Sequence, residues 1–491
     1  MTLLHQIFAK NALAHPSHPF MDDDRFGVYD IRESLALSQQ TASLLSELGL
    51  KPGDGLVIKA TRSASTATLL YATQILGLIA IPIDEREDGE NALKIDPRIK
   101  AIAYQENEKG AIRIWTFRFS VGKKTIEIPS LPDLSCNFEN SCHDPNADCL
   151  WVFTSGSEGT QKIVRHSQKT LFSHCERYTG PSSCDKSDRG IFLLPMNHVF
   201  GLALLLMAVY VGFSLFFPST LELDQVIDYV VERRITYLDH VPSYHYMVAK
   251  RAEERGVRFT SLRNGLTGGA PMPESRFKEI EDGLGMKLLP VYGASEIITI
   301  AALGDDASFE RRRTTVGQPL EQTELRIVDE NGETMPNGSA GEIVVRSPSL
   351  MLGYLGEDSG IDEEGFFATG DIGYLDEIGD LHITGRKKAV IIRNGNNISC
   401  ADVEKRLIAL GCVERCCVVP VPDSGSGEAP GAMVVLSLDA TNGSFLALMK
   451  DSLPKNMWPT KIVFVDEMPM LGSGKTDRIA VKEILCSLSS N

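Results

Sequence analysis

The segment Phe153-Thr154-Ser155-Gly156-Ser157-Glu158-Gly159-Thr160-Gln161-Lys162 sets four hydroxyl side chains, two glycines and a closing lysine behind the apolar run Cys149 to Phe153. A strand feeding such a loop brings backbone N–H and side-chain O–H donors up to phosphate oxygens, and Lys162 adds a positive charge at the exit. It is not the Walker loop, because the GK[ST] ending and its spacing are absent. A plain flexible turn has the same composition, so the loop alone decides nothing.

Further chemistry-bearing groups follow in order. Gly268-Gly269-Ala270-Pro271 comes first, then Val291-Tyr292-Gly293-Ala294-Ser295-Glu296. Thr369-Gly370-Asp371, Gly385-Arg386-Lys387-Lys388 and Gly472-Ser473-Gly474-Lys475-Thr476-Asp477-Arg478 complete the series. Taken singly, each has a bland reading. Tyr292 could be core, Glu296 a helix-start carboxylate, Asp371 a turn residue and Lys475 a solvated lysine on a glycine loop.

The whole set, in this order, resembles the adenylate-forming superfamily of acyl-CoA synthetases, peptide-synthetase adenylation domains and luciferases, closest in style to acyl- or aryl-acid thiol ligases. The resemblance runs from about Glu47 to the C-terminal helix. It implies that Thr154, Ser155, Gly156, Ser157, Gly159, Thr160 and Lys162 hold the β- and γ-phosphates of ATP. Gly269, Ala270 and Pro271 would wall one side of adenine, with Tyr292 and Gly293 on the other. Ser295 would meet the α-phosphate and Glu296 would hold Mg²⁺, an ion that keeps several waters and takes one carboxylate plus phosphates. Asp371 would accept both ribose hydroxyls, and Arg386 would touch the ribose from the domain junction. Lys475 would stabilise the charge that builds as the acid attacks the α-phosphate. Lys388 would be the hinge between two half-reactions, and Gly395 would line the thiol tunnel.

The chain departs from the family pattern in three places. Glu158 stands where a second hydroxyl is usual, Gln161 where Pro is frequent, and Cys400 where Pro is usual. A carboxylate facing a triphosphate is repelled, so Glu158 is expected to point outward or to bind metal.

The acid-binding region is expected around Pro195-Met196-Asn197-His198-Val199-Phe200-Gly201, and His198 resembles the gate residue of fatty- and aryl-acid ligases. The ordinary alternative is a satisfied core histidine. No acidic residue occurs between Asp188 and Glu222. A buried ammonium without a carboxylate partner is costly, so the region disfavours an α-amino acid and favours an apolar fatty or aromatic one. The resemblance implies a phosphopantetheine thiol as acceptor. Val390 to Gly395, with Ile398 and Glu404, resembles CoA ligases, whereas Gly474 to Arg478 looks more like domains that load an acyl or peptidyl carrier protein. CoA is the preferred expectation and the carrier protein the alternative. Two rivals share the nucleotide motifs: a luciferase-like monooxygenase and an inactive nucleotide-binding protein. The joint presence of Lys475, Glu296, Asp371 and Arg386 argues against the second.

The elements that must position these groups can be read from pattern. Ser43 to Ile83 alternates helix, strand, helix and strand, and the alternation recurs from Ile191 to Leu289, as in a covered parallel sheet. After Val316 short strands punctuated by Gly, Asn and Pro suggest a small β-rich subdomain. A compact block after Gly385 reads strand, helix, strand, strand, helix, strand. The expected architecture is therefore α/β: a large N-terminal domain of parallel-rich sheets with helices and a small β-rich subdomain, then a small mobile α+β domain. The boundaries are 1–385 for adenylation, 386–388 for the hinge and 389–491 for the C-terminal domain.

Bulk properties agree with that reading. At 491 residues the chain exceeds one ordinary core. Hydrophobic residues make up 43% and charged residues 23%, a globular balance. A net charge of -16 removes the phosphate neutralisation that drives nucleic-acid binding. Met1 to His15 lacks the features of a signal peptide. Leu202 to Phe217 falls short of the roughly 20 apolar residues of a membrane span, so no transmembrane anchor is expected. Ten cysteines without ligand spacing fit a reduced, cytoplasmic compartment. The pattern leaves oligomeric state open.

Overall fold

The computed structural model describes residues 3–87, 89–105, 117–121, 124–128, 144–154, 161–270, 272, 274–387, 389–394, 396–423, 426–437, 439–471 and 475–487. The expected alternation is present. Helix Ile31–Glu47 starts on a reciprocal cap, with the Asp30 carboxylate accepting from Glu33 N–H at 2.7 Å and the Glu33 carboxylate accepting from Asp30 N–H at 3.0 Å. Strand Gly55–Ala60 follows, then helix Ala64–Leu76, then strand Ile79–Asp84. The second helix is buried along its whole length and stops at Gly77, whose φ of 75° is the left-handed conformation that glycine adopts without penalty.

These strands belong to an eight-stranded sheet. Its order is Gly353–Tyr354, Ile163–Ser167, Asp148–Phe153, Ile79–Asp84, Gly55–Ala60, Ile99–Gln105, Phe117–Val121, Lys124–Ile128. The central four run parallel and the outer strands are antiparallel, so the sheet is mixed. A second layer pairs Arg189–Ile191, Ser214–Phe217 and Pro19–Asp23 in parallel, with Gly27–Asp30 antiparallel at the edge. Asn264–Gly268 and Lys287–Tyr292 form a further parallel pair.

The apolar stretch that could tempt a membrane reading resolves into helix Val199–Met207, a π-turn Ala208–Gly212 and strand Ser214–Phe217, nearly all buried. Among the described residues no helix is long and apolar enough to cross a membrane. Glu324–Val328, Gly341–Arg346, Phe367–Leu375 and Leu381–Arg386 form the four-stranded antiparallel subdomain expected after Val316.

The last block has its own core, centred on Ile391, Val403, Leu407, Val418, Val434 and Phe445. Strands Val390–Arg393, Val413–Asp423, Gly427–Leu436 and Lys461–Phe464 carry helices Cys400–Ile408, Asn442–Ser452 and Arg478–Ser487. Two details differ from expectation. Asn396–Ser399 is an additional strand returning on Val390–Arg393. The hairpin 413–436 is longer than its apolar centre, because ladder pairing continues out to Asp423 and Gly427.

Candidate active site

Strands Asn264–Gly268 and Lys287–Tyr292 run parallel and therefore end on the same side, where open α/β sheets bind their ligands. Gly269-Ala270 leaves one end and Gly293-Ala294-Ser295-Glu296 the other. Gly293 is required there, since a Cβ would strike the Ile298 carbonyl. Ile298 itself holds φ at 64°, a conformation that disfavours β-branched residues and costs about 1–3 kcal/mol. Strain of this kind tends to lie in segments that position function. The turn is pinned from behind. His166 Nε2 donates to the Ser295 carbonyl at 2.8 Å, and burial lowers that imidazole to about 4, so it serves as a neutral strut.

Glu296 is half-buried, and its Oε1 accepts from the Tyr354 hydroxyl at 2.7 Å. Burial, followed by the Glu296 carboxylate, pushes that phenol above its ordinary value, so Tyr354 remains a donor. The Tyr354 ring also carries Lys162, whose Nζ lies 4.4 Å from the ring centroid and 3.0 Å from the Glu357 carboxylate. The hydroxyl-glycine loop is closed at its neck. Thr154 N–H donates to the Lys162 carbonyl at 2.9 Å, and Lys162 N–H donates to Thr154 Oγ1 at 3.1 Å. Ser155, Gly156, Ser157, Glu158, Gly159 and Thr160, together with Pro271, Lys388 and Gly395, lie outside the described residues.

Asp371 and Arg386 face each other across the hairpin Phe367–Leu375/Leu381–Arg386. Arg386 Nε donates to Asp371 Oδ1 at 2.7 Å, and the Tyr292 hydroxyl donates to Oδ2 at 2.7 Å. Each carboxylate oxygen thus has one partner and keeps a lone pair for another donor. The register shifts between Ile372 and Gly373, a bulge of the kind that re-aims a side chain at a strand rim.

Lys475 comes from the C-terminal block. A Cβ built on Gly269 would lie 3.5 Å from Lys475 Cε, so the lysine stem covers that glycine's face. Burial lowers the ammonium, the Arg386 cation lowers it further, and Asp371 and Glu296 act in the opposite direction. A β-bridge between Met470 and Thr476 closes the loop that carries Lys475. Arg478 then clamps the loop to the block's core, donating to Glu404 Oε1 at 2.6 Å and to the Val418 carbonyl at 2.8 Å. The block reaches the rest of the chain through polar contacts, including the exposed pair Lys405 to Glu274 at 3.0 Å and the part-buried bond from Arg276 to the Val413 carbonyl at 3.1 Å.

His198 caps helix Val199–Met207, its Nδ1 accepting from Phe200 N–H at 3.4 Å. Burial and then Lys475 depress the imidazole to about 3, so it is neutral in the working range. Gly201 lets that helix start seat on Pro195, whose carbonyl would clash with any Cβ. One continuous cavity of about 2220 Å³ runs through the whole site, and its apolar lining near His198 includes Val199, Ala203, Met207, Phe213 and Leu266.

His198, Lys475, Tyr292, Ser295, Glu296, Asp371, Arg386, Gly269, Thr154 and Lys162 all line that cavity. The expectation of a pocket without a carboxylate is corrected. Asp239 lines it and is buried, having fallen outside the window from Asp188 to Glu222. Asp188 turns away, to Arg263 and Thr236. His166, Tyr354 and Asp239 were missed for different reasons. Asp239 had a signal, as the one acid in the apolar run 235–242. The other two are recruited by pairing across distant segments.

Comparison with known proteins agrees with this geometry. The profile described as AMP-binding enzyme matches residues 8–355, and that of the AMP-binding enzyme C-terminal domain matches residues 402–475. A feruloyl-CoA synthase of Amycolatopsis sp is 27% identical over 455 residues, covering 89% of this chain and 91% of the relative. A 2-succinylbenzoate–CoA ligase of Bacillus pumilus is 27% identical over 456 residues, covering 90% of each. The ATP-bound crystal structure of MatB from Rhodopseudomonas palustris superposes with a TM-score of 0.85 at 22% identity, covering 100% of both chains, and it shares the fold. With a cavity shared by both parts of the chain and both family profiles matched in order, the protein is a member of the AMP-binding enzyme family.

Proposed function

We propose that this chain is an ATP-dependent, AMP-forming acid–CoA ligase. It joins a carboxylate to the α-phosphate with loss of pyrophosphate, then transfers the acyl group from the adenylate to the CoA thiol. The observation that carries the reading is the seating of Lys475 over Gly269, within reach of His198, Arg386, Asp371 and Glu296. An ammonium there meets the negative charge that develops as the acid attacks phosphorus. Asp371 and Arg386 would hold the ribose, with Tyr292 and Gly269-Ala270 on the faces of the base. Ser295, held by His166, would donate to the α-phosphate.

Glu296 suits a Mg²⁺ site. One oxygen is spoken for by Tyr354 and the other is open, which matches an ion that takes one carboxylate beside phosphates and water. When bound, such an ion would neutralise phosphate charge. The apolar walls beyond neutral His198 support an acid with a fatty or aromatic body.

The domain assignment belongs to the same proposal: adenylation in 1–385, a hinge at 386–388 and a mobile block in 389–491. Its support is the separate core of the block and the polar contacts it makes with the rest. Such interfaces permit relative motion. A cytoplasmic setting fits the described cysteines, which are all free thiols. The test is product analysis with ATP, Mg²⁺, CoA and a panel of fatty and aryl acids. AMP and pyrophosphate in equal amounts, with a thioester, are expected. Stoichiometric ADP and phosphate would sink the reading.

A further inference from the structure

The far end of the acid cavity is not apolar. Asp239 lines it with only 1% of its surface exposed, and one carboxylate oxygen accepts from Leu266 N–H at 2.7 Å. Tyr178 and Thr267 line the same cavity at 2% and 3% exposure, and neither hydroxyl has a hydrogen-bond partner. Tyr237 and Cys184 complete this end. Burial lifts the Asp239 carboxyl to about 8, with the Leu266 N–H and the Tyr237 hydroxyl pulling against that rise. Burial, then Asp239 and Cys184, push the Tyr178 phenol well up. Leaving a buried hydroxyl unpaired costs about 1–3 kcal/mol, so Tyr178 beside the buried carboxyl favours a ligand that hydrogen-bonds there.

Position along the sheet sets the distance. Asp239 is tied to Leu266, whereas Lys475 covers Gly269. Three residues of strand separate the two points, about 10 Å at the usual rise. A carboxylate activated beside Lys475 would place this polar end at the opposite tip of a ring-sized body.

Given the ligase reading, on which this rests, we infer that the enzyme selects an aryl acid whose ring carries a hydrogen-bonding substituent, an amino or hydroxyl group, far from its carboxylate, with the Asp239 carboxyl and the Tyr178 hydroxyl as its partners and Thr267 as a further hydroxyl on the cavity wall. A ring methyl or hydrogen at that point leaves the Tyr178 and Thr267 hydroxyls unpaired. An α-amino acid fails as well, because its amine sits one carbon from the carboxylate and cannot span the cavity. Asp239 is thus a specificity residue that touches substrate.

The test is acid-dependent ATP–pyrophosphate exchange with cinnamic and benzoic acids bearing para-amino, para-hydroxyl, para-methyl or no substituent, alongside plain fatty acids. The donor-bearing acids should exceed the para-methyl ones by about 10²-fold in kcat/KM, as sites built to pair a polar group reject analogues without it. The amino and hydroxyl arms decide which donor is preferred. In Asp239→Leu, which removes the group's hydrogen bonding while keeping its bulk, the donor-to-methyl ratio should fall at least tenfold. Should that variant fail to fold, the same ratio in Tyr178→Phe and Thr267→Val carries the test, with a fall of several-fold expected. Exchange that favours para-methyl or fatty acids, or a ratio unchanged in the variants, overturns the inference and leaves the ligase intact. Exchange with no carboxylic acid removes the ligase reading, and the inference falls with it.

Discussion

The two ends of the cavity are built on opposite principles. At the Asp371 end the carboxylate already has protein partners: Tyr292 and Arg386 hold it between them at 2.7 Å. At the Asp239 end, Tyr178 and Thr267 keep buried hydroxyls unpaired. Groups that pair with each other cost nothing to hold ready and lose little between turnovers. Groups left unpaired reward only the ligand that satisfies them. The first arrangement suits a substrate common to the family, and the second suits one particular to this chain.

The largest effect should come from removing the charge between the two ends. Lys475→Ala is expected to slow adenylate formation by about 10²–10³ or more, roughly 3–4 kcal/mol. Thioester formation from acyl-AMP supplied ready-made should be spared, and equal loss in both half-reactions would count against alternation. Next, Asp371→Asn should raise KM for ATP by about tenfold to a hundredfold, the range of a hydrogen bond to a charged group. KM for the acid should stay put; a parallel rise would mean that the two ends are not independent.

A third test uses pH. Asp239 is raised to about 8 in the folded chain, against about 3.9 unfolded. Between those values the folded state holds a proton that the unfolded state has released, so this group's contribution falls as pH rises. Asp239→Asn does not titrate. Its stability relative to wild type should therefore climb from pH 4 to 8, by up to about 1.4 kcal/mol per unit. The facing groups, Tyr178, Tyr237, Cys184 and Leu266 N–H, stay uncharged over that window, because burial holds the phenols and the thiol up. Urea titrations at pH 5 and 7 check it, and a difference that is flat with pH would show that Asp239 ionises freely. The smallest effect belongs to Tyr354→Phe. Losing one hydroxyl on Glu296 should cost about 1 kcal/mol, or roughly fivefold in kcat/KM for ATP, with acid selectivity unmoved.

What the sequence disclosed follows the same division. The nucleotide end lies in short contiguous stretches, since a strand end with its following turn supplies several groups at once, as in Tyr292 to Glu296. The C-terminal elements were legible to within a few residues because apolar periodicity and helix caps mark them locally, Ser399 before Cys400–Ile408 being one case. Their ladder ends were not, since pairing extends past the apolar residues. Asp239 carried a local signal, as the one acid in the run 235–242, but its neighbour Tyr178 is distant in sequence. Tyr354 and His166 gain theirs from single hydrogen bonds to a turn more than fifty residues away. No local pattern encodes such partners.

The Arg478 clamp bears on timing. With its guanidinium fixed to Glu404 and Val418, the loop that carries Lys475 is bolted to the block's own core. Parting this pair would leave the buried Glu404 carboxylate without its cation, which disfavours the loop swinging out alone. On the proposal that the C-terminal block moves, withdrawal of the lysine is then a rigid-body event. The clock for leaving the first half-reaction and the clock for entering the second are one clock, read at both faces of a single block.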